Sequence, residues 1–147
     1  MDVILLTLTV LAGCLMPVQP AINALVAQGI NSAYLAAFFS FVVGTLALGL
    51  VCVTLRQPWP DTRILAALPW WCWTAGTIGA FFVTMTIVSI PRLGAMAVMA
   101  LLIAGQMIMS LVMDHYGWLG LPQHSISPLR VLGAVLLLLG VFLIRRF

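Results

Sequence analysis

Two carboxamide side chains lie in the first long apolar stretch of the sequence. Gln19 and Asn23 are four residues apart, so on a helix they share one face. Pro17 and Pro20 lie close to them, and neither residue can donate a backbone hydrogen bond inside a helix. A broken helix with amide side chains beside free carbonyls is typical of a substrate site in a membrane transporter. The two amides could instead form a hydrogen-bond lock between helices, with the prolines only kinking the chain.

A second polar stripe lies in the fourth apolar stretch. Gln106, Ser110 and Asp114 follow one another at intervals of four residues, so they share a helix face from the middle of the stretch to its end. This stripe could line a water-filled path and carry a proton to or from Asp114. Alternatively, Asp114 is a solvated helix end that pairs with His115 or Arg130, and Gln106 only packs between helices.

Hydroxyl groups in the second and third apolar stretches complete the candidate lining. Ser40 lies among small residues in the second stretch, and Thr84 lies in the third. Small residues at helical spacing let helices approach closely, so packing is the alternative role for Ser40. The hydroxyl of Thr84 could equally bond the backbone of its own helix. The predicted substrate-binding residues are Gln19, Asn23, Gln106, Ser40 and Thr84, and the predicted proton-coupling residue is Asp114.

The overall composition indicates that lipid surrounds these residues. Of the 147 residues, 64% are hydrophobic and only 6% are charged, whereas a soluble domain averages about 25% charged residues. So few charges cannot build a water-exposed surface. The sequence also has no basic patch, so nucleic acid is not an expected partner.

The sequence contains no pattern that predicts an enzyme. It has no Glu, no Walker A motif and no nucleophile with a paired base. Its three cysteines, Cys14, Cys52 and Cys72, all fall in apolar stretches, and their spacing does not suit a metal site or a disulfide framework. We therefore expect no catalytic residue, no metal and no cofactor.

Five apolar stretches are long enough to cross a bilayer, which takes about 20 helical residues. They cover residues 3–27, 33–55, 65–90, 93–113 and 128–144. Their ends carry local signals: Asp61 is a candidate helix N-cap, and Pro128 after Ser127 suits the first turn of a helix. The predicted fold is an all-α polytopic membrane protein, with residues 1–147 forming a single five-span transmembrane domain.

All six basic residues are arginines, and five spans distribute them equally between the two sides of the membrane. One side holds Arg56, Arg63 and Arg130. The other side holds Arg92, Arg145 and Arg146. Flanking Lys and Arg normally set the orientation of a membrane protein, so the even count predicts insertion both ways up. Two copies could then meet as an antiparallel homodimer. A fixed orientation set by a partner protein is the alternative.

Several short motifs in combination resemble one family of membrane proteins. They are Gln19-x-x-x-Asn23, Ser40-Phe41-x-x-Gly44-Thr45, Pro91-Arg92-Leu93-Gly94, Ala104-Gly105-Gln106 and Ser110-Leu111-x-x-Asp114-His115. On these motifs the chain resembles the YdcZ-type inner-membrane exporter family, a half-length branch of the drug/metabolite transporter (DMT) superfamily. The resemblance implies a multi-pass protein of the bacterial inner membrane that is half of a ten-helix, inverted-repeat transporter. The small multidrug resistance transporters are similar in that small chains assemble antiparallel. Their first span carries a glutamate, in the region where this chain has Gln19 and Asn23.

These observations together predict a secondary membrane transporter that exports a small molecule. The expected partners are the lipid bilayer, the small-molecule substrate and a second, antiparallel copy, with the substrate site between the two copies. An oppositely oriented homologous chain could replace the second copy. The other interpretations are a small dual-topology ion channel and a non-transporting membrane partner subunit.

Overall fold

The chain is helical throughout the part that the structure describes, apart from turns and loops. A computed structural model describes the backbone of residues 2–146 and the side chains of residues 3–144 and 146. Within these residues the α-helices are α1 (Asp2–Leu15), α2 (Val18–Ile30), α3 (Ala33–Thr54), α4 (Thr62–Ala67), α5 (Ala75–Leu93), α6 (Ala95–Tyr116) and α7 (Pro128–Arg146). Two short 3-10 helices cover Trp70–Thr74 and Trp118–Gly120. The all-α prediction is confirmed.

Four helical stretches of the described residues are long and apolar enough to cross a membrane. They are Val3–Ile30, Ala33–Thr54, Trp70–Leu93 and Ala95–Tyr116, and Pro128–Ile144 is a shorter apolar helix. The apolar part of α7, residues 128–144, corresponds to about 25 Å, near the lower limit for crossing a hydrocarbon core of roughly 30 Å. The architecture is that of a polytopic membrane protein, as predicted.

The first membrane-crossing stretch breaks near its centre. Helix α1 ends and α2 begins on either side of Met16 and Pro17. The N–H of Met16 donates to the carbonyls of Ala12 and Gly13, at 3.1 and 3.2 Å. Pro17 and Pro20 have no N–H, so two hydrogen bonds of a continuous helix cannot form here. The break therefore follows directly from the sequence.

Capping side chains begin α3 and α4, and the cap of α4 is the one that the sequence predicted. Oγ of Ser32 accepts from the N–H of Leu35 at 3.2 Å and caps α3. Oδ1 of Asp61 accepts from the N–H of Arg63 at 2.9 Å and caps α4. Helix α7 begins at Pro128, as predicted. These caps satisfy backbone donors that have no partner inside their own helix.

The third span begins later than the sequence predicted. It was expected from Leu65, but it starts at Trp70, because α4 is a separate short helix. The backbone is extended at Leu68 and Pro69. A proline disfavours helical geometry in the residue before it, which ends α4 at this point. The other predicted span ends lie within about three residues of the observed ones.

The described residues form two compact units, which divide between Arg92 and Leu93. In the first unit, α2 packs against α3, and α3 and α5 share a buried core. This core consists of Ala36, Ala37, Val83 and Ile87. In the second unit, α6 packs along α7.

A close approach between α3 and α5 occurs at Gly79. A Cβ atom built on Gly79 would lie 3.4 Å from Cζ of Phe41. This distance allows a methyl group but leaves little room for a larger side chain. A glycine at this place therefore lets the aromatic ring of α3 lie directly against the backbone of α5.

Candidate functional site

One side-chain hydrogen bond connects α2 to α3 within the first unit. Nδ2 of Asn23 donates to Oγ of Ser40 at 3.1 Å. Asn23 is only 7% exposed, and Ser40 is half-buried. The contact is the interhelical hydrogen bond that was the alternative to a substrate site for Asn23. It satisfies polar groups that would be unfavourable against hydrocarbon.

Gln19 lines an open groove between α2 and α3, here called the α2–α3 groove. The groove has a volume of about 230 Å³, and it is lined by Gln19, Ser40, Phe41, Gly44, Thr45 and Leu48. Gln19 is exposed, and its amide has no hydrogen-bond partner among the described residues. Nothing lies within 4 Å of a Cβ built on Gly44. The groove thus offers polar groups beside an aromatic and aliphatic wall, as small-molecule sites do.

Four of the five predicted substrate-binding residues lie near the middle of their spans, and Asn23 lies farther out. At about 1.5 Å per residue, Gln106 is about 1 Å from the midpoint of its span, and Gln19 and Thr84 are about 4 Å from theirs. Ser40 lies about 5 Å and Asn23 about 10 Å from the corresponding midpoints. Secondary transporters bind their substrates near the middle of the bilayer.

Two threonines on α5 differ in how their hydroxyl groups are satisfied. Thr84 is 9% exposed, and its hydroxyl makes no hydrogen bond with another described residue. Thr86 is 2% exposed, and its Oγ1 donates to the carbonyl of Val83 at 2.7 Å. A hydroxyl bonded to the backbone of its own helix was considered for Thr84 but is found at Thr86, which was not among the predicted site residues. Both positions are compatible with a packed helix face, so periodicity alone does not separate them.

The second unit carries a groove between α6 and α7, here called the α6–α7 groove. Its volume is about 280 Å³, and it is lined by Met107, Ser110, Leu111, Asp114, Arg130, Gly133, Ala134 and Leu137. A guanidinium nitrogen of Arg130 lies 3.4 Å from Oδ2 of Asp114. The side chains of Arg130 and Asp114 are 39% and 36% exposed, so solvent screens the pair. Pairing with Arg130 was one alternative for Asp114, and proton coupling through Asp114 stays a prediction.

The loop between α6 and α7 is held against the end of α6 by hydrogen bonds. The N–H of His124 donates to the carbonyl of Asp114 at 2.8 Å. Nε2 of Gln123 donates to the carbonyl of His115 at 2.9 Å. The N–H of Ile126 donates to Nδ1 of His115 at 3.3 Å. His115 is thus a partner to the loop through both its backbone and its ring.

Gln106 lies outside both grooves. Its side chain is exposed and has no hydrogen-bond partner among the described residues. Within the predicted set, the structure brings Gln19 and Ser40 together in one groove and places Asn23 beside them. Thr84 belongs to the same unit, while Gln106 and Asp114 belong to the second unit.

Comparison with known proteins adds two similarities. Residues 4–143 match the family model described as "Putative inner membrane exporter, YdcZ". "Inner membrane protein YdcZ" of Escherichia coli (strain K12) is 32% identical over 85 residues, which are 57% of this chain and 56% of that protein. The match thus spans about half the length of the E. coli protein. No solved structure matches this chain.

Proposed function

This chain belongs to the YdcZ family of inner membrane exporters, and from that premise we propose that it works as an antiparallel dimer. Two copies insert in opposite orientations, and the substrate binds between them near the middle of the bilayer. Each copy is then half of an inverted-repeat transporter, as in the drug/metabolite transporter superfamily. Rocking of one copy against the other alternates access to the two sides.

The exposed amide of Gln19 in a mid-span groove is the observation that carries this proposal. A carboxamide without a partner is unfavourable against hydrocarbon. A small molecule with hydrogen-bonding groups would satisfy Gln19 together with the hydroxyl of Ser40 or Thr45. The ring of Phe41 would pack on an apolar part of the same molecule. The proposed substrate class is therefore a small amphipathic compound.

Two buried residues support this site in the proposal. Asn23 fixes the position of Ser40 through the 3.1 Å hydrogen bond. Thr84 has a hydroxyl that is not bonded to another described residue, so it can serve a substrate or a second polar group. Mutation of either residue should alter substrate binding less than mutation of Gln19, because both are buried.

The size of the groove supports a site that two copies share. Ligand sites usually enclose about 300–1,000 Å³, and the α2–α3 groove offers about 230 Å³. Two such grooves facing each other would provide twice that volume, which lies within the usual range. The even distribution of arginines supports opposite orientations of the copies. The side chain of Arg145, one of the six arginines, lies outside the described residues.

Cysteine accessibility tests the groove without knowledge of the substrate. Alanine replaces Cys14, Cys52 and Cys72, and Gln19→Cys is compared with Val18→Cys. Val18 is a matched control, because it is adjacent and 48% exposed but does not line the groove. A water-soluble methanethiosulfonate should modify Gln19→Cys in membranes much faster than Val18→Cys, because water enters a substrate path.

Equally slow modification of both cysteines would contradict the exporter proposal. It would mean that lipid or protein covers Gln19, as in a membrane partner subunit without transport activity. Rapid modification of both cysteines would also contradict it, since the water path would then not follow the groove.

A further inference from the structure

Gln106 is an unpaired amide at the centre of α6. The helix covers Ala95–Tyr116, and Gln106 lies within about 1 Å of its midpoint along the axis. The side chain is exposed and without a hydrogen-bond partner among the described residues. Such a group is unfavourable in hydrocarbon, and a polar partner would stabilise it.

The residues around Gln106 form a stripe with the spacing of a coiled-coil seam. The stripe, here called the α6 seam, consists of Met99, Ile103, Gln106, Ser110 and Met113. Its intervals of four, three, four and three residues keep it on one helix face. Every member is exposed or half-buried, and Ser110 at the edge of the seam also lines the α6–α7 groove. Within the seam, Met99 and Met113 lie symmetrically about Gln106, seven residues away on each side, whereas Ile103 and Ser110 lie three and four residues from it.

We propose that α6 of one copy packs antiparallel against α6 of a second copy along the α6 seam, with the two Gln106 amides hydrogen-bonded to each other. A carboxamide has both a donor and an acceptor, so two identical side chains can form two mutual hydrogen bonds. In this register Met99 meets the partner's Met113. The inference rests on the antiparallel dimer of the proposed function, and it assigns Gln106 to the dimer contact instead of the substrate lining.

Symmetry explains why the polar residue is at the midpoint. In an antiparallel pair, the two-fold axis lies in the plane of the membrane at mid-depth. Only residues at that depth can meet their own counterparts across the axis. A single polar residue in an apolar seam also selects one register, because any shift leaves both amides unpaired.

Disulfide cross-linking between two tagged copies tests this register. Both copies lack Cys14, Cys52 and Cys72; one carries Met99→Cys and the other carries Met113→Cys. We expect oxidation to link these two copies to each other, while Met99→Cys alone and Met113→Cys alone give no linked dimer. Gln106→Cys alone should give a linked dimer. Ile108→Cys is the control, because it is exposed and near mid-depth but on the opposite face of α6.

Links of Met99→Cys to itself and of Met113→Cys to itself would show a parallel pair and overturn the proposal. Linking of Ile108→Cys without Gln106→Cys would show that another face of α6 forms the contact, and would also overturn it. The second result leaves the antiparallel dimer of the proposed function standing, whereas the first would count against both. The orientation of the C-terminus, which is measured separately, then shows whether the dimer itself is antiparallel.

The dissociation of the dimer tests the hydrogen bonds between the two Gln106 amides. Gln106→Leu keeps the size and apolar packing of the seam but removes both hydrogen bonds. We expect the dimer to dissociate about tenfold more readily in detergent or bilayers. Ile108→Leu should leave dissociation unchanged. Equal dimer formation by Gln106→Leu and the unmodified chain would contradict the pairing of the amides.

Discussion

Asn23 and Ser40 are joined by a hydrogen bond of 3.1 Å between Nδ2 and Oγ, although they are 17 residues apart in the chain. The bond lies between α2 and α3 at the edge of the α2–α3 groove, because Ser40 lines that groove together with Gln19. This bond gives Asn23 and Gln19, two amides on the same face of α2, different environments. Asn23 is buried and satisfied within the protein, while Gln19 is exposed.

A double-mutant cycle should measure the strength of this bond. Asn23→Ala and Ser40→Ala should each lower the free energy of unfolding by about 1 kcal/mol, because each leaves the other polar group without its partner. The coupling energy should be about 0.6 kcal/mol, the average for such bonds between membrane helices. Unfolding in denaturing detergent, followed by tryptophan fluorescence, gives these values. Strictly additive effects of the two substitutions would mean that the bond contributes nothing to stability.

Gly79→Leu should weaken the packing of α3 against α5. Additional side-chain atoms would collide with the ring of Phe41, since a Cβ alone already lies 3.4 Å from it. The expected loss of unfolding free energy is about 1–3 kcal/mol, as for other overpacked sites. Gly76→Leu is the control, because nothing lies within 4 Å of a Cβ at Gly76. The same detergent unfolding measures both, and Phe41→Ala should restore part of the loss. Equal destabilisation by the two leucines would refute the close approach.

His115→Ala should release the loop between α6 and α7. The substitution removes Nδ1, which accepts from the N–H of Ile126 at 3.3 Å. Hydrogen exchange at the amide of Ile126 should therefore become several-fold faster, since the protecting acceptor is lost. His124→Ala is the control, because His124 contacts Asp114 through its backbone N–H, which alanine retains. Unchanged exchange at Ile126 in His115→Ala would show that this hydrogen bond does not hold the loop.

Single arginine substitutions should change the orientation of the chain. Gln57→Arg adds a charge to the side that holds Arg56, and Gln28→Arg adds one to the side that holds Arg92 and the C-terminus. Because arginine-rich loops stay in the cytoplasm, Gln28→Arg should place the C-terminus there, and Gln57→Arg should place it outside. A C-terminal fluorescent protein and a C-terminal alkaline phosphatase report these two locations.

The unsubstituted chain should give both reporter signals. A signal from one side alone would rule out a homodimer of opposite orientations and would point to an oppositely oriented homologous chain. Co-expression of the two arginine variants should restore function that neither has alone.

Features that depend only on residues close together in the chain could be predicted from the sequence. The break near Pro17, the cap at Asp61 and the beginning of α7 at Pro128 all agree with the structure, since proline geometry and capping act within one helical turn. The beginning of the third span was wrong by five residues, at Leu65 instead of Trp70. Apolar composition continues through α4, so hydropathy concealed the break at Pro69.

Composition, span length and helical spacing are sufficient to predict a multi-pass helical membrane protein with polar side chains near mid-depth. Which of these polar groups have partners within the protein depends on tertiary packing: Asn23 pairs with Ser40, and Asp114 pairs with Arg130. The physical reason is that each of these pairs joins two different helices, so its formation depends on how those helices pack. Helical spacing placed Gln19 and Asn23 on one face, and the packing of α3 left only Gln19 exposed for a ligand.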